Sequence, residues 1–229
     1  MKKQLKSYAF FDVDNTLVKI KTMRSFLKYF YNAKHKIFGK LIYKKYEMGG
    51  DLYNLFGASR EFLNKRYYKQ YRGYRETDVK MLSLAWFFDL ENRTKDLYIK
   101  CVLQEIDVHK NNGVEIVLVS GSFEPCLFPI AKKLGIKHVL STSQEIKNGI
   151  YTGNVLSSQI IGEGKVYAIK DFLSRQQHQE TSLSDCYAYG DHISDLPMLS
   201  YVGKPHAIKG NKELESFAVK QGWPILPND

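Results

Sequence analysis

Three cysteines, Cys101, Cys126 and Cys186, are few, odd in number and far apart. They suggest neither a disulfide framework nor a zinc site and fit a reducing, cytoplasmic setting. Six prolines and 16 glycines in 229 residues exclude collagen-like and low-complexity classes. No stretch reaches the ~18 apolar residues of a membrane span. The apolar run Tyr8 to Phe11 follows Lys2, Lys3 and Lys6 but stops at Asp12, too short for a signal peptide. What remains is ordinary globular material, 44% hydrophobic and 25% charged, enough for one large domain or a core with a smaller module.

Acidic residues are scarce in the first part of the chain. Residues 1–100 hold 22 Lys and Arg against 10 Asp and Glu, whereas residues 101–229 hold 12 against 14. Eleven of the 16 tyrosines also fall in the first hundred. Two distinct modules are implied, one of which either meets an anionic partner or presents a solvated basic face.

The apolar spacing supports that division. Tyr8 to Phe11 reads as a strand. From Thr22 the period becomes helical through Phe26, Phe30, Ile37 and Leu41, and Gly49-Gly50-Asp51 predicts a helix stop followed by an N-cap. A second helix is predicted through Leu52, Leu55, Phe56, Phe62 and Leu63, ending near Gly73, with Lys65, Lys69 and Arg72 on one face. A third covers Thr77 to Leu103. Residues 19–103 therefore read as a helical insert.

Beyond it strands and helices alternate. Strands are predicted at Glu115–Val119, His138–Leu140, Cys186–Tyr189 and His206–Ile208. Helices are predicted at Phe128–Leu134, Gly164–Leu173 and Leu196–Tyr201, and from Lys212 onward. Asn148-Gly149 marks a hairpin turn. Such alternation predicts an α/β domain with a mainly parallel sheet, made of residues 1–18 and 104–229.

Ligands of such sheets sit beyond the carboxyl ends of the strands. Four polar clusters are predicted there: Asp12-Val13-Asp14-Asn15-Thr16, Ser120-Gly121-Ser122, Lys165 after Gly162-Glu163-Gly164, and Gly190-Asp191 with Asp195 four residues on. Each alone is commonplace; their order and context together are specific.

That combination resembles the haloacid dehalogenase (HAD) superfamily, within it the phosphoserine-phosphatase-like subfamily IB. Asp12 to Leu17 looks like its first motif, Val119 to Ser122 its second, Lys165 its third and Gly190 to Pro197 its fourth. The insert falls where that subfamily carries a helical cap. The 24 residues between Lys165 and Gly190 leave no room for the other cap type. The resemblance implies a Rossmann-like core with a cap inserted after the first strand, and a Mg²⁺-dependent phosphatase acting on a phosphomonoester through an aspartyl-phosphate. It implies Asp12 as nucleophile and Asp14 as general acid and base. Ser120, Gly121 and Lys165 would bind the phosphate. The Asp12 carboxylate, the Asp14 backbone carbonyl and the Asp191 carboxylate would hold the metal, with Asp195 orienting Lys165 or a metal-bound water.

The substrate is expected to be small, anionic and phosphorylated. Phosphoserine phosphatases resembling this chain place a glutamate about nine positions after the nucleophile to receive the substrate ammonium; Lys21 stands there instead. Arg60 to Arg75 has six cations against one acid, interleaved with Tyr67, Tyr68, Tyr71 and Tyr74. That pattern leaves a nucleotide or nucleic acid, a lipid phosphate at a membrane surface, and a plain soluble surface all open. Transfer of the phosphoryl group to an alcohol is the alternative to hydrolysis. His192 reads as a loop or substrate-edge residue, His138 and His206 as structural, Cys126 as inert. Ser122 either touches substrate or caps the next helix.

Overall fold

The computed structural model describes residues 6–156, 158–176 and 181–229; Lys2 and Lys3 lie outside the described residues. Strands β1 (Tyr8–Phe11), β2 (Glu115–Phe123), β3 (His138–Thr142), β6 (Tyr187–Gly190), β7 (Lys204–Ile208) and β8 (Ile225–Leu226) form one six-stranded sheet in the order β3-β2-β1-β6-β7-β8. Every neighbouring pair is parallel. A hairpin of β4 (Gln144–Lys147) and β5 (Ile150–Val155) turns at Asn148 and Gly149, both with positive φ, as a two-residue hairpin requires. The expected α/β fold with a mainly parallel sheet is what the chain adopts.

Alternation along the central strands divides the core in two. Ala9, Phe11, Ile116 and Leu118 face one apolar cluster, continuous with the interior of the helices between β1 and β2. Tyr8, Phe10, Val117 and Val119 face the other, with buried residues of α7 (Glu163–Arg175), α8 (Leu196–Tyr201) and α9 (Lys212–Gln221). Both faces are covered, so these strands read as unbroken apolar runs.

Between β1 and β2 lie α1 (Thr22–His35), α2 (Gly39–Leu55), α3 (Arg60–Tyr68), α4 (Glu76–Arg93) and α5 (Lys100–Asn111), and α6 (Glu124–Lys133) follows β2. Lys19 N–H donates to the Leu97 carbonyl (2.8 Å) and Ile99 N–H to the Leu17 carbonyl (3.0 Å), so the outgoing and returning chain run side by side.

Three expectations for this region are corrected. Gly49-Gly50-Asp51 does not stop a helix; α2 runs through it to Leu55. A Cβ on Gly49 would stand 2.7 Å from the Arg66 guanidinium, which caps the Tyr46 carbonyl (2.6 Å) and lies 4.0 Å from the Tyr46 ring centroid. The glycines there admit a neighbour rather than end a helix. The break comes at Gly57, with φ +74°, and Ser59 then caps α3 by accepting from Phe62 N–H. The single helix expected over 77–103 is two, because Leu97–Ile99 pair with Leu17–Lys19 instead of coiling. Finally, Tyr67, Tyr68 and Tyr71 are buried and pack on Phe123, while Tyr74 meets Phe30 edge-on. Their rings form the interior of the insert and offer no stacking platform for bases.

Candidate active site

The tight turn after β1 places the first cluster. The Val13 carbonyl accepts from Leu17 and Val18 N–H (2.9 and 3.0 Å), and Asn15 adopts a left-handed φ of 64°, which asparagine tolerates. Val13 is buried in the core while Asp12 and Asp14, on either side of it, both line a cavity of about 390 Å³. β1 lies between β2 and β6, so Asp12, Ser120 and Asp191 come from three adjacent strand ends, where the chain order reverses across the sheet.

Lys165 stands in the first turn of α7, fully enclosed. Gly164 before it passes so close to the Gln159 carbonyl that no Cβ fits there. The Lys165 ammonium contacts Asp12 Oδ1 at 2.6 Å and Asp195 Oδ1 at 2.7 Å. Carboxylate oxygens of Asp12, Asp191 and Asp195 lie within 4.8 Å of one another, and all three residues are buried. Thr16 Oγ1 donates toward Asp191 Oδ1 at 3.2 Å and sits 3.5 Å from Asp12 Oδ2. Asp14 is outside that group: its Oδ1 accepts from Thr22 N–H (3.1 Å) and Thr22 Oγ1 (2.6 Å). Thr22 Oγ1 is in turn 2.8 Å from Ser122 Oγ. Ser122 does not cap α6; it lines the cavity, and its hydroxyl pairs with Thr22.

Burial governs the electrostatics. It pushes Asp12 up to about 6 against the pull of Lys165, with Asp195 and Asp191 adding to the rise. Asp14 is likewise raised to about 6 by burial, opposed by its bonds from Thr22. Asp191 is raised by burial and by Asp195. Desolvation works against the Lys165 charge, but Asp12 and Asp195 outweigh it and hold that amine above its ordinary value. One ammonium against three clustered carboxylates leaves an excess of buried negative charge, and the donors are all oxygen. That set fits a hard divalent cation such as Mg²⁺.

The opposite wall of the cavity comes from the insert. Lys21, Arg24, Arg60 and Arg66 line it, against the single acid Glu47. Among the described residues, Lys21 and Arg24 form no ion pair. Arg60 Nη1 donates to Ser194 Oγ (2.6 Å) and lies 3.3 Å from His192 Nδ1, tying α3 to the loop after β6. Tyr68 Oη donates to the Gly121 carbonyl at 3.0 Å, a second tie. Lys65, Lys69 and Arg72 are exposed and do not line the cavity.

All seven sequence-designated residues, Asp12, Asp14, Ser120, Gly121, Lys165, Asp191 and Asp195, border this one cavity. His192 lies at its edge, its Nδ1 accepting from Ser194 N–H. His206 stacks on Tyr189 and His138 meets Glu115 at 2.9 Å, both away from the site. Cys126 is buried and its thiol is pushed well up by desolvation. Sequence reasoning missed Thr16, Thr22, Arg24, Arg60 and Arg66. Thr16 was inside the first cluster, four residues after Asp12, and Arg60 and Arg66 were inside the basic stretch from Arg60 to Arg75 without being singled out; Thr22 and Arg24 carried no local signal.

Comparison with known proteins yields three kinds of match. The sequence profile of the haloacid dehalogenase-like hydrolases matches residues 9–200. A probable phosphatase of Mycobacterium tuberculosis is 30% identical over 227 residues, covering 95% of this chain and 74% of that protein. Among solved structures, a Bordetella pertussis protein of unknown function superposes with a TM-score of 0.83 at 20% identity, covering 99% of this chain and all of that one. A phospho-aspartyl intermediate analogue of phosphoserine phosphatase superposes with a TM-score of 0.62 at 19% identity, covering 99% and 95%.

Proposed function

Because the chain belongs to the haloacid dehalogenase-like hydrolases, we propose that it is a Mg²⁺-dependent phosphomonoesterase that passes its phosphoryl group through Asp12. The observation that carries this reading is the buried group formed by Asp12 and Asp191 at adjacent strand ends with Asp195 and the Lys165 ammonium of α7, with Asp14 held apart by Thr22. The superposing phosphoserine phosphatase captured as a phospho-aspartyl analogue supports it.

An Asp12 carboxylate oxygen attacks phosphorus, the O–P bond to Asp12 forms and the ester P–O bond breaks. Asp14, raised toward neutrality by burial, gives its proton to the departing oxygen. The ionised Asp14 then takes a proton from the water that attacks phosphorus, which frees Asp12 and inorganic phosphate. Ser120, the Gly121 amide and Lys165 receive the non-bridging oxygens. Asp195 positions Lys165, and Thr16 steadies Asp12 and Asp191. The Asp12 and Asp191 carboxylates and the Asp14 carbonyl would hold Mg²⁺, which supplies charge neutralisation. The helical segment 19–103 serves as the cap.

The four cations that share the insert's wall of the cavity with one glutamate favour a substrate with a second acidic group, and Lys21 disfavours an ammonium there. The test is phosphate release from paired monoesters that differ by one added carboxylate or phosphate. We expect Mg²⁺-dependent release, with higher kcat/KM for the more acidic member of each pair. No release from any monoester overturns the phosphatase reading, and no preference overturns the substrate reading alone. A new ester in preference to phosphate, with an alcohol added, assigns transfer instead.

A further inference from the structure

α2 is amphipathic in an unusual sense: its apolar stripe faces away from the protein. Leu41, Met48, Leu52 and Leu55 recur at i, i+7, i+11 and i+14, which at 3.6 residues per turn aligns them on one face. All four are exposed, Leu55 to 80%. The opposite face carries buried Tyr43 and the cavity-lining Tyr46 and Gly50. The stripe is extended before α2 by Ile37 and Phe38, 89% and 66% exposed, and after it by Phe56, 78% exposed. Contiguous exposed apolar surface of this kind marks an interaction face.

The charges around it select the partner. Lys36, Lys40, Lys44 and Lys45 flank the stripe, are exposed, and form no ion pair among the described residues. No acid lies between His35 and Tyr46. Beside the later half of the stripe stands one exposed acid, Asp51, so the border as a whole is basic, and a second copy paired in register would bring the same lysines against themselves. An anionic lipid surface complements both features at once, because a helix with an apolar face and a lysine-rich border settles into the headgroup boundary. With 17 residues that include Lys40, Lys44, Lys45, Glu47 and Asp51, α2 does not span a bilayer; no described helix is long and apolar enough to do so.

We propose that the outer face of α2, with Ile37, Phe38 and Phe56 at its ends, docks the protein on anionic lipid bilayers. Docking would lay α2 between the bilayer and the cavity, since its inner face is part of the cavity wall.

Flotation of the full chain with vesicles tests this. Wild type should float with phosphatidylcholine–phosphatidylglycerol vesicles, not with phosphatidylcholine alone, and should be released by salt. The triple variant Leu41→Ser, Leu52→Ser, Leu55→Ser should lose at least about 100-fold in partitioning. Its rate on a small soluble phosphomonoester and its melting temperature should stay unchanged, because these side chains touch neither core nor cavity. Wild type that ignores anionic vesicles overturns the proposal, as does a triple variant that floats equally well. So does a wild-type dimer in sedimentation that the same substitutions dissolve, which would give the face to a second copy.

Discussion

The strand ends around Asp12 and the outer face of α2 treat burial in opposite ways. At the strand ends the chain encloses three carboxylates and an ammonium that water would otherwise solvate. On α2 and at its ends it leaves leucines and phenylalanines in solvent that a core would otherwise take. The first arrangement costs folding free energy, and the second forgoes the gain that burial would bring. The comparison teaches where stability has been traded for something else: charge held ready for chemistry in one place, apolar surface held ready for contact in the other.

The sharpest way to break the first half of that comparison is Asp14→Asn. The amide keeps the shape and loses the proton, so kcat should fall by ~10²–10⁴-fold while the melting temperature holds, as steady-state kinetics and calorimetry would reveal. A fall of less than threefold would remove Asp14 from the proposed proton transfers.

Next in size is a matched pair of stability measurements. Lys165→Met strips the counter-charge from Asp12 and Asp195 and should cost about 3–5 kcal/mol in denaturant unfolding without metal. Leu55→Ser, on the exposed stripe, should lie within about 0.5 kcal/mol of wild type. Equal costs would erase the contrast between the two regions.

A smaller effect concerns pH. Asp12 and Asp14 are raised to about 6 in the fold, so between the ordinary carboxylate range and that value the folded site binds protons that the unfolded chain releases. Their contribution to the metal-free protein is therefore full at acid pH and lost as pH rises through about 6. Mg²⁺ binds the ionised site, so the rise in melting temperature on adding it should grow from pH 5 to pH 7.5. A shift that is constant or shrinks with pH would contradict a cation among these aspartates.

Much of this contrast was legible beforehand, and its limits are instructive. β1, β2, β3, β6 and β7 announce themselves as apolar runs between turn residues; Asp12, Ser120 and Asp191 mark strand ends, and Lys165 a helix start. Local spacing sufficed because a parallel sheet itself gathers those ends. The same spacing found both parts of α2 as apolar at helical period, wrongly divided at Gly49, but gave no direction, since periodicity says which residues share a face and not what the face meets. Gly49 misled for a related reason: its partner, Arg66, is 17 residues away in sequence. Thr22 and Arg60 escaped because their roles exist only through Asp14 and Ser194, distant in the chain.

The central claim is that Asp12 is the nucleophile, and phosphate release by Asp12→Asn tests it most directly. Asparagine is isosteric and leaves Lys165 an oxygen to contact, so the folded protein should persist with an unchanged circular dichroism spectrum. In the presence of Mg²⁺ and the best monoester, the account predicts no phosphate release above the uncatalysed rate. Release at the wild-type rate from that folded variant would contradict it.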